Sequence, residues 1–137
     1  MKKFLLGLML IAGFPWMVSA CGVGEKTADG YEDTPVQHAY EHWTQGEKSF
    51  IPFVFIDVRT LDEYDAGHIQ GAMHIPLQDL SAHIAEIPHN KQVYVYCHSG
   101  RRSASAAKLL AGKGFTNIEN VVGGFSAWKA AEYPVVP

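Results

Sequence analysis

The run Gln92-Val-Tyr-Val-Tyr96 passes without a break into Cys97-His-Ser-Gly-Arg-Arg-Ser103 and then into the alanine-rich stretch Ala104 to Ala111. Val and Tyr in alternation favour a strand, whereas Ala, Lys and Leu favour a helix. A strand that becomes a helix within so few residues needs a short loop, and Gly100 allows that loop to curl. The unpaired N–H groups of the loop and of the helix N-terminus then converge on one point. A chain built around this order is restricted to strands and helices in alternation, with a thiol at the carboxyl end of one strand. A free cysteine titrates near ~8.5, and comparable settings lower that to roughly 3.5–7.5. Cys97 is therefore expected to be a nucleophile, with a structural core cysteine as the alternative.

The remaining sequence repeats the alternation. Thr34 and Pro35 have the form of a helix start, and Val36, Ala39, Tyr40 and Trp43 share one helical face that Gly46 can end. Phe53 to Asp57 reads as a buried parallel strand. Thr60-Leu-Asp-Glu63 has capping-box spacing and opens a brief helix that Gly67 can close. Ala72 to Ile75 is another short strand, stopped by Pro76, and Leu77, Leu80, Ile84 and Ile87 then space a helix before Pro88. Ile118 to Val122 is a last strand, and Gly123-Gly124 leads to a helix around Ala127 to Ala131. The fold class expected is α/β, with a mainly parallel central sheet and helices on both faces. Sites in such sheets form at the carboxyl ends of strands, where Cys97 lies.

The N-terminus has a different character. Lys2-Lys3 precede an apolar stretch from Phe4 to Met17, and Val18-Ser19-Ala20 supplies small residues before Cys21. Residues 1–20 are expected to be a signal peptide, because about 15 apolar residues fall short of the ~20 that span a bilayer. Val18-Ser-Ala-Cys21 also resembles the lipobox of bacterial lipoproteins, so lipidation of Cys21 is expected, ordinary cleavage after Ala20 being the alternative. Residues 21–33 then read as a tether and 34–137 as the folded domain. The localisation expected is periplasmic, with a membrane anchor if Cys21 carries lipid. In that case Cys97 has no disulfide partner within the chain. The formal charge is −3, and −5 without Lys2 and Lys3, which disfavours nucleic acid as a partner.

The loop also limits the chemistry. Arg101 and Arg102 suit the oxygens of a small anion. Cysteine-dependent phosphatases place an arginine six positions after the cysteine in a wider loop; here that position is Ser103 and the arginines are fourth and fifth. The shorter loop favours attack on sulfur over phosphorus. His38 and His42, at i and i+4, have no third ligand nearby in sequence, so both are expected to be exposed helix residues and no metal site is expected.

Four blocks together are similar to a single-domain rhodanese, a thiosulfate sulfurtransferase, over roughly residues 34 to 137. They are Phe55-Ile-Asp-Val-Arg59; Glu63-Tyr64 with Gly67-His-Ile69 and Gly71-Ala72; Tyr96-Cys-His-Ser-Gly-Arg-Arg-Ser103; and Gly123-Gly-Phe-Ser-Ala-Trp128 with Tyr133-Pro-Val135. With its signal segment the chain resembles the small periplasmic rhodaneses of bacteria. The resemblance implies that Cys97 takes the outer sulfur of thiosulfate as a persulfide and passes it to a thiophilic acceptor such as cyanide, with no cofactor. His98, Ser99, Gly100, Arg101, Arg102 and Ser103 would bind the substrate. Arg101 would face it, the His98 side chain would point away from the pocket, and Ser103 would serve as a donor or a helix cap. Asp57 and Arg59 would support the site, with Arg59 paired to Glu63. His68 would be structural, and Phe125 and Trp128 would pack core. A persulfide carrier or protein-binding module is the second reading, and a phosphatase or arsenate reductase the third, disfavoured by the loop length. The sequence gives no oligomeric state.

Overall fold

A computed structural model describes residues 24–137; the expected signal segment and Cys21 lie outside the described residues. Six strands form one sheet in the order β1-β2-β6-β5-β3-β4. They are β1 (Glu25–Lys26), β2 (Glu32–Pro35), β3 (Phe53–Asp57), β4 (Met73–His74), β5 (Gln92–Tyr96) and β6 (Ile118–Val122). Every pairing is parallel except β1 with β2. Strand β5 is central, matched from Phe53↔Gln92 to Asp57↔Tyr96 on one side and from Val93↔Ile118 on the other.

The described residues form four α-helices, α1 (Val36–Gln45), α2 (Leu61–Ala66), α3 (Arg101–Gly112) and α4 (Gly124–Ala130), of which α1, α3 and α4 pack on the sheet. Successive strand residues point to opposite faces, and the core divides accordingly. Ile56, Val93 and Val95 join Ala106, Ala107 and Leu110 of α3 on one side. Phe55, Tyr94 and Tyr96 join Val36, Ala39, Phe125 and Trp128 of α1 and α4 on the other. The small Ala106 and Ala107 let α3 approach the strands closely, which fixes its start beside Cys97. Trp128 is fully buried, with Tyr40 and Tyr133 edge-on to its ring at 5.5 and 5.3 Å. Such pairs contribute about 0.5–1.5 kcal/mol each beyond their buried area. Its indole N–H donates to the Pro134 carbonyl at 2.8 Å, so α4 is anchored at its far end as well as at the site.

Four local expectations are corrected. Residues 25–33 are not all tether: Glu25↔Asp33 and Glu32↔Glu119 pair them into the sheet. These charged strands carry no apolar alternation, and charge suits a sheet edge. Thr34 and Pro35 end β2, and Thr34 makes no side-chain cap to α1. The segment after Pro76 forms two 3₁₀ turns, Leu77–Ala82 and Ile84–Glu86. Its apolar pairs 77/80 and 84/87 are three apart, the period of that helix, and the four-residue step between them is taken up at His83. His42 is not an exposed helix residue, since its ring bonds the Tyr94 hydroxyl at 2.8 Å and the Ser49 hydroxyl at 2.7 Å.

Candidate active site

The β5 strand delivers Cys97 to the carboxyl edge of the sheet, and the chain turns at Gly100 with φ of 101°. That left-handed conformation favours glycine. Helix α3 starts at Arg101, three residues earlier than the alanine run suggests, so Arg101, Arg102 and Ser103 form its first turn. The loop proper is Cys97 to Gly100.

Cys97 is only 1 % exposed. Its Sγ accepts a hydrogen bond from the Gly100 N–H at 3.1 Å and one from the Ser103 hydroxyl at 3.4 Å. Burial pushes the thiol up, but the Ser103 hydroxyl together with the N–H groups of Ser103, Gly100 and Ser99 outweighs it and holds the thiol below its ordinary value. Ser103 is buried and is not the helix cap, which is Gly100. The donors that would stabilise a thiolate are thus supplied by the chain itself.

A second helix grips the loop from outside. The Phe125 N–H donates to the Cys97 carbonyl at 2.7 Å, and the Ser126 N–H to the His98 carbonyl at 2.9 Å. This requires close contact. A Cβ on Gly124, whose φ is 56°, would lie 2.4 Å from the Cys97 carbonyl oxygen. The Gly123-Gly124 pair therefore does more than turn the chain: it lets α4 approach the backbone of Cys97.

Asp57 and Arg59 pair with each other. The Arg59 Nε donates to Asp57 Oδ1 at 2.9 Å and Nη2 to Oδ2 at 2.7 Å, with a further bond from Nη2 to the Gly67 carbonyl at 2.7 Å. Both residues are buried, and the guanidinium lies 4.1 Å from the Phe125 ring centroid. Arg59 thus braces the α2–β4 connection and the start of α4. The expected Arg59–Glu63 pair does not form. Glu63 instead binds Arg102 bidentately, with both N–O distances 2.8 Å. Glu63 also closes the capping box of α2 by accepting from the Thr60 N–H at 3.0 Å. The Arg102 guanidinium in turn holds the Glu63 carboxyl down to about 2, against the upward effect of burial. Arg101 is exposed and makes no side-chain hydrogen bond or ion pair among the described residues. Of the two arginines in the first turn of α3, it is the one without a side-chain partner among the described residues.

His68 sits in the turn after α2, its ring stacked 3.7 Å from Tyr64 and its backbone paired with Val136. His98 is exposed, and with Arg59, Glu63, Gly67, Phe125 and Lys129 it lines a cavity of about 290 Å³ beside the loop. Tyr96 is fully buried, and its hydroxyl accepts from the Ile69 N–H at 3.1 Å. Burial and the Asp57 charge push this phenol up, so it stays neutral under the cradle. Among the described residues no cluster of three His, Cys, Asp or Glu has the geometry to hold a metal ion.

Residues 39–131 match the rhodanese-like domain. The chain belongs to the rhodanese family. Within it, the chain is 35 % identical over 105 residues to YrkF of Bacillus subtilis (strain 168), provisionally named a sulfur carrier protein; the match covers 77 % of this chain and 56 % of YrkF, little more than half of that relative. It is 37 % identical over 90 residues to the thiosulfate sulfurtransferase GlpE of Coxiella burnetii, covering 66 % of this chain and 82 % of GlpE. A crystal structure of a rhodanese-related protein from Thermoplasma volcanium superposes with a TM-score of 0.66 at 30 % identity, covering 74 % of this chain and 94 % of that one. The rhodanese fold thus accounts for the parallel sheet and for the loop at its edge. Sequence reasoning did not find the backbone grip of Phe125 and Ser126 or the partner of Glu63. The glycine pair was the only visible sign of the first.

Proposed function

We propose that this rhodanese moves sulfane sulfur from thiosulfate, through a persulfide on Cys97, to a thiophilic acceptor. The observation that carries the reading is the sulfur cradle: a Sγ held below its ordinary pKa by Ser103 and by loop N–H groups. In the first step the Cys97 thiolate attacks the outer sulfur of thiosulfate. A Sγ–S bond forms, the S–S bond of thiosulfate breaks, and its electron pair leaves with sulfite. The terminal sulfur carries the negative charge, and the N–H groups that now face Sγ supply its stabilisation. Storing the sulfur covalently divides one transfer into two easier ones. Incubation with thiosulfate should release sulfite and add 32 Da, about one sulfur, to the Cys97 peptide. Both should be lost in Cys97→Ala, and an unchanged mass in the reduced wild-type protein would overturn the proposal.

Similarity to YrkF supports a second reading, in which the persulfide is delivered to a protein and thiosulfate turnover is incidental. Slow sulfite release alongside rapid transfer to a partner protein would favour it. We also propose that the chain is exported and anchored by lipid at Cys21, on the strength of Lys2-Lys3, the apolar run and Val18-Ser-Ala-Cys21. Intact-mass measurement on a membrane fraction tests this: a mature chain that begins at an unmodified residue 21 would exclude the lipid.

A further inference from the structure

The strand that leads to Cys97 begins at a different cavity. Gln92, the first residue of β5, lines a space of about 330 Å³ between α1 and the segment Ser49 to Ile51. Five strand residues, roughly 16 Å, separate that end of β5 from Cys97. The wall is fixed by His42 of α1. Its ring bonds the Tyr94 hydroxyl at 2.8 Å, the Ser49 hydroxyl at 2.7 Å and the Ile51 carbonyl at 2.8 Å. Helix, sheet and segment are thereby tied together around the space. Phe50 beside it is fully exposed, and Ile51 is 60 % exposed.

The lining is also one-sided in charge. Glu41 and Glu119 contribute carboxyl groups and no lysine or arginine contributes at all. Neither carboxyl group forms an ion pair among the described residues. Glu119 pairs in register with Tyr94 on one side and Glu32 on the other, so it shares the α1 face of the sheet with Tyr94. The residue is 7 % exposed, and its Oε2 is buried without a hydrogen-bond partner among the described residues. Burial and the Glu32 charge push this carboxyl group up, and the Thr34 hydroxyl and His38 oppose that rise without reversing it. A carboxylate withdrawn from water with no cation beside it is costly, and a cation brought to it relieves the cost.

We infer that this cavity binds a small organic cation, a primary ammonium group on an apolar stem. The ammonium would lie between Glu119 and Glu41, and the stem against Phe50, Ile51 and the Tyr94 ring. An ammonium group offers three donors, which suits two carboxyl groups, and it is attracted to aromatic faces. An anion would be repelled by the same pair, and a neutral ligand would leave the buried carboxyl group uncompensated. A bare metal ion lacks its ligands, since no three His, Cys, Asp or Glu among the described residues are arranged to hold one. The volume sits at the lower end for small-molecule sites. This site lies away from Cys97 and stands independently of the sulfurtransferase reading.

Benzylamine and benzyl alcohol, alike in shape and different in charge, provide the test. Each is titrated into the protein, and binding is followed by the amide NMR shifts of every residue. Benzylamine should give saturable shifts at α1, Ser49 to Ile51, Gln92, Tyr94 and Glu119, and bind at least about tenfold more tightly than the alcohol, the scale of a hydrogen bond to a charged group. Glu119→Gln keeps the shape and removes the charge, so it should abolish that preference. Glu41→Gln lies on the exposed surface of α1, where it leaves the core intact, and should weaken benzylamine by about two- to fivefold. Equal affinity for the two probes, no binding of benzylamine, or shifts centred elsewhere would overturn the inference. So would a preference that survives Glu119→Gln or, should that variant not fold, benzylamine affinity unchanged in Glu41→Gln.

Discussion

Helices α3 and α4 start in the same way and use their starts differently. Each begins at a glycine in the left-handed region, Gly100 at φ of 101° and Gly123 at 80°, and neither has a side-chain cap. Each therefore has backbone donors to place outside its own hydrogen-bond ladder. Around α3 they face the Cys97 sulfur. Those of α4 are bonded to the Cys97 and His98 carbonyls. One helix start faces the Cys97 sulfur, and the other fixes the peptide that carries it. Orphan N–H groups are equivalent in kind, so their use depends on which acceptor the fold brings within reach.

Single substitutions can break this division of labour. Gly124→Ala should have the largest effect on folding. It places a Cβ against the Cys97 carbonyl oxygen and holds alanine at a positive φ. A loss of about 2–4 kcal/mol is expected from the combined strain and lost bonds, measured by urea unfolding. Gly100→Ala should cost less, about 1–2 kcal/mol, because its nearest contact is the Gly123 nitrogen at 3.2 Å and the conformational penalty dominates. Equal costs for the two would show that close approach of α4 adds nothing to the backbone strain.

Ser103→Ala tests the other helix with little effect on folding. In the proposed cycle Cys97 reacts as thiolate, so the rate should rise with pH through its depressed pKa. Removing the Ser103 hydroxyl should move the midpoint of sulfite release upward, because that hydroxyl is the largest of the groups that hold the thiol down; a pH–rate profile of single turnovers reads the shift. Glu63→Gln should give the smallest change, less than about 1 kcal/mol at neutral pH because the pair is partly exposed. The folded Glu63 carboxyl lies at about 2, below its ordinary value of 4.5. Its contribution is therefore fully present above that ordinary value and lost as pH falls through about 2. Thermal unfolding of wild type and variant should converge at that acid limit.

Much of the fold was legible because it is written in local patterns. The continuous apolar runs within Phe53–Asp57 and Gln92–Tyr96 specified buried strands, and the Thr60–Glu63 capping box appears as spaced. The two N-terminal strands were not legible, since Glu32-Asp33 owes its pairing to β6, and Glu25-Lys26 its pairing to β2, rather than to its own composition. At the site, the position of Cys97 followed from strand, loop and helix order alone. The partner of Arg59 was misread although a signal existed: residues two apart at a strand end project to the same side, which favours Asp57 over Glu63. The partner of Glu63 is Arg102, 39 residues away, and only the packing of α2 beside α3 could reveal it. Gly124 showed a turn in the sequence and a close approach in the structure, because nothing local reports what backbone lies opposite.

The burial of Cys97 makes the site a size filter. A sulfur that is 1 % exposed is ready to ionise but narrow to reach, so nucleophilicity and accessibility vary independently there. Small linear or tetrahedral sulfur species can meet it end-on, whereas bulky aromatic thiol reagents must first open the cradle. A colorimetric count of free thiols on the native protein therefore reports the width of the entrance. The oxidation state of the sulfur within is a separate quantity, read from the mass of the Cys97 peptide.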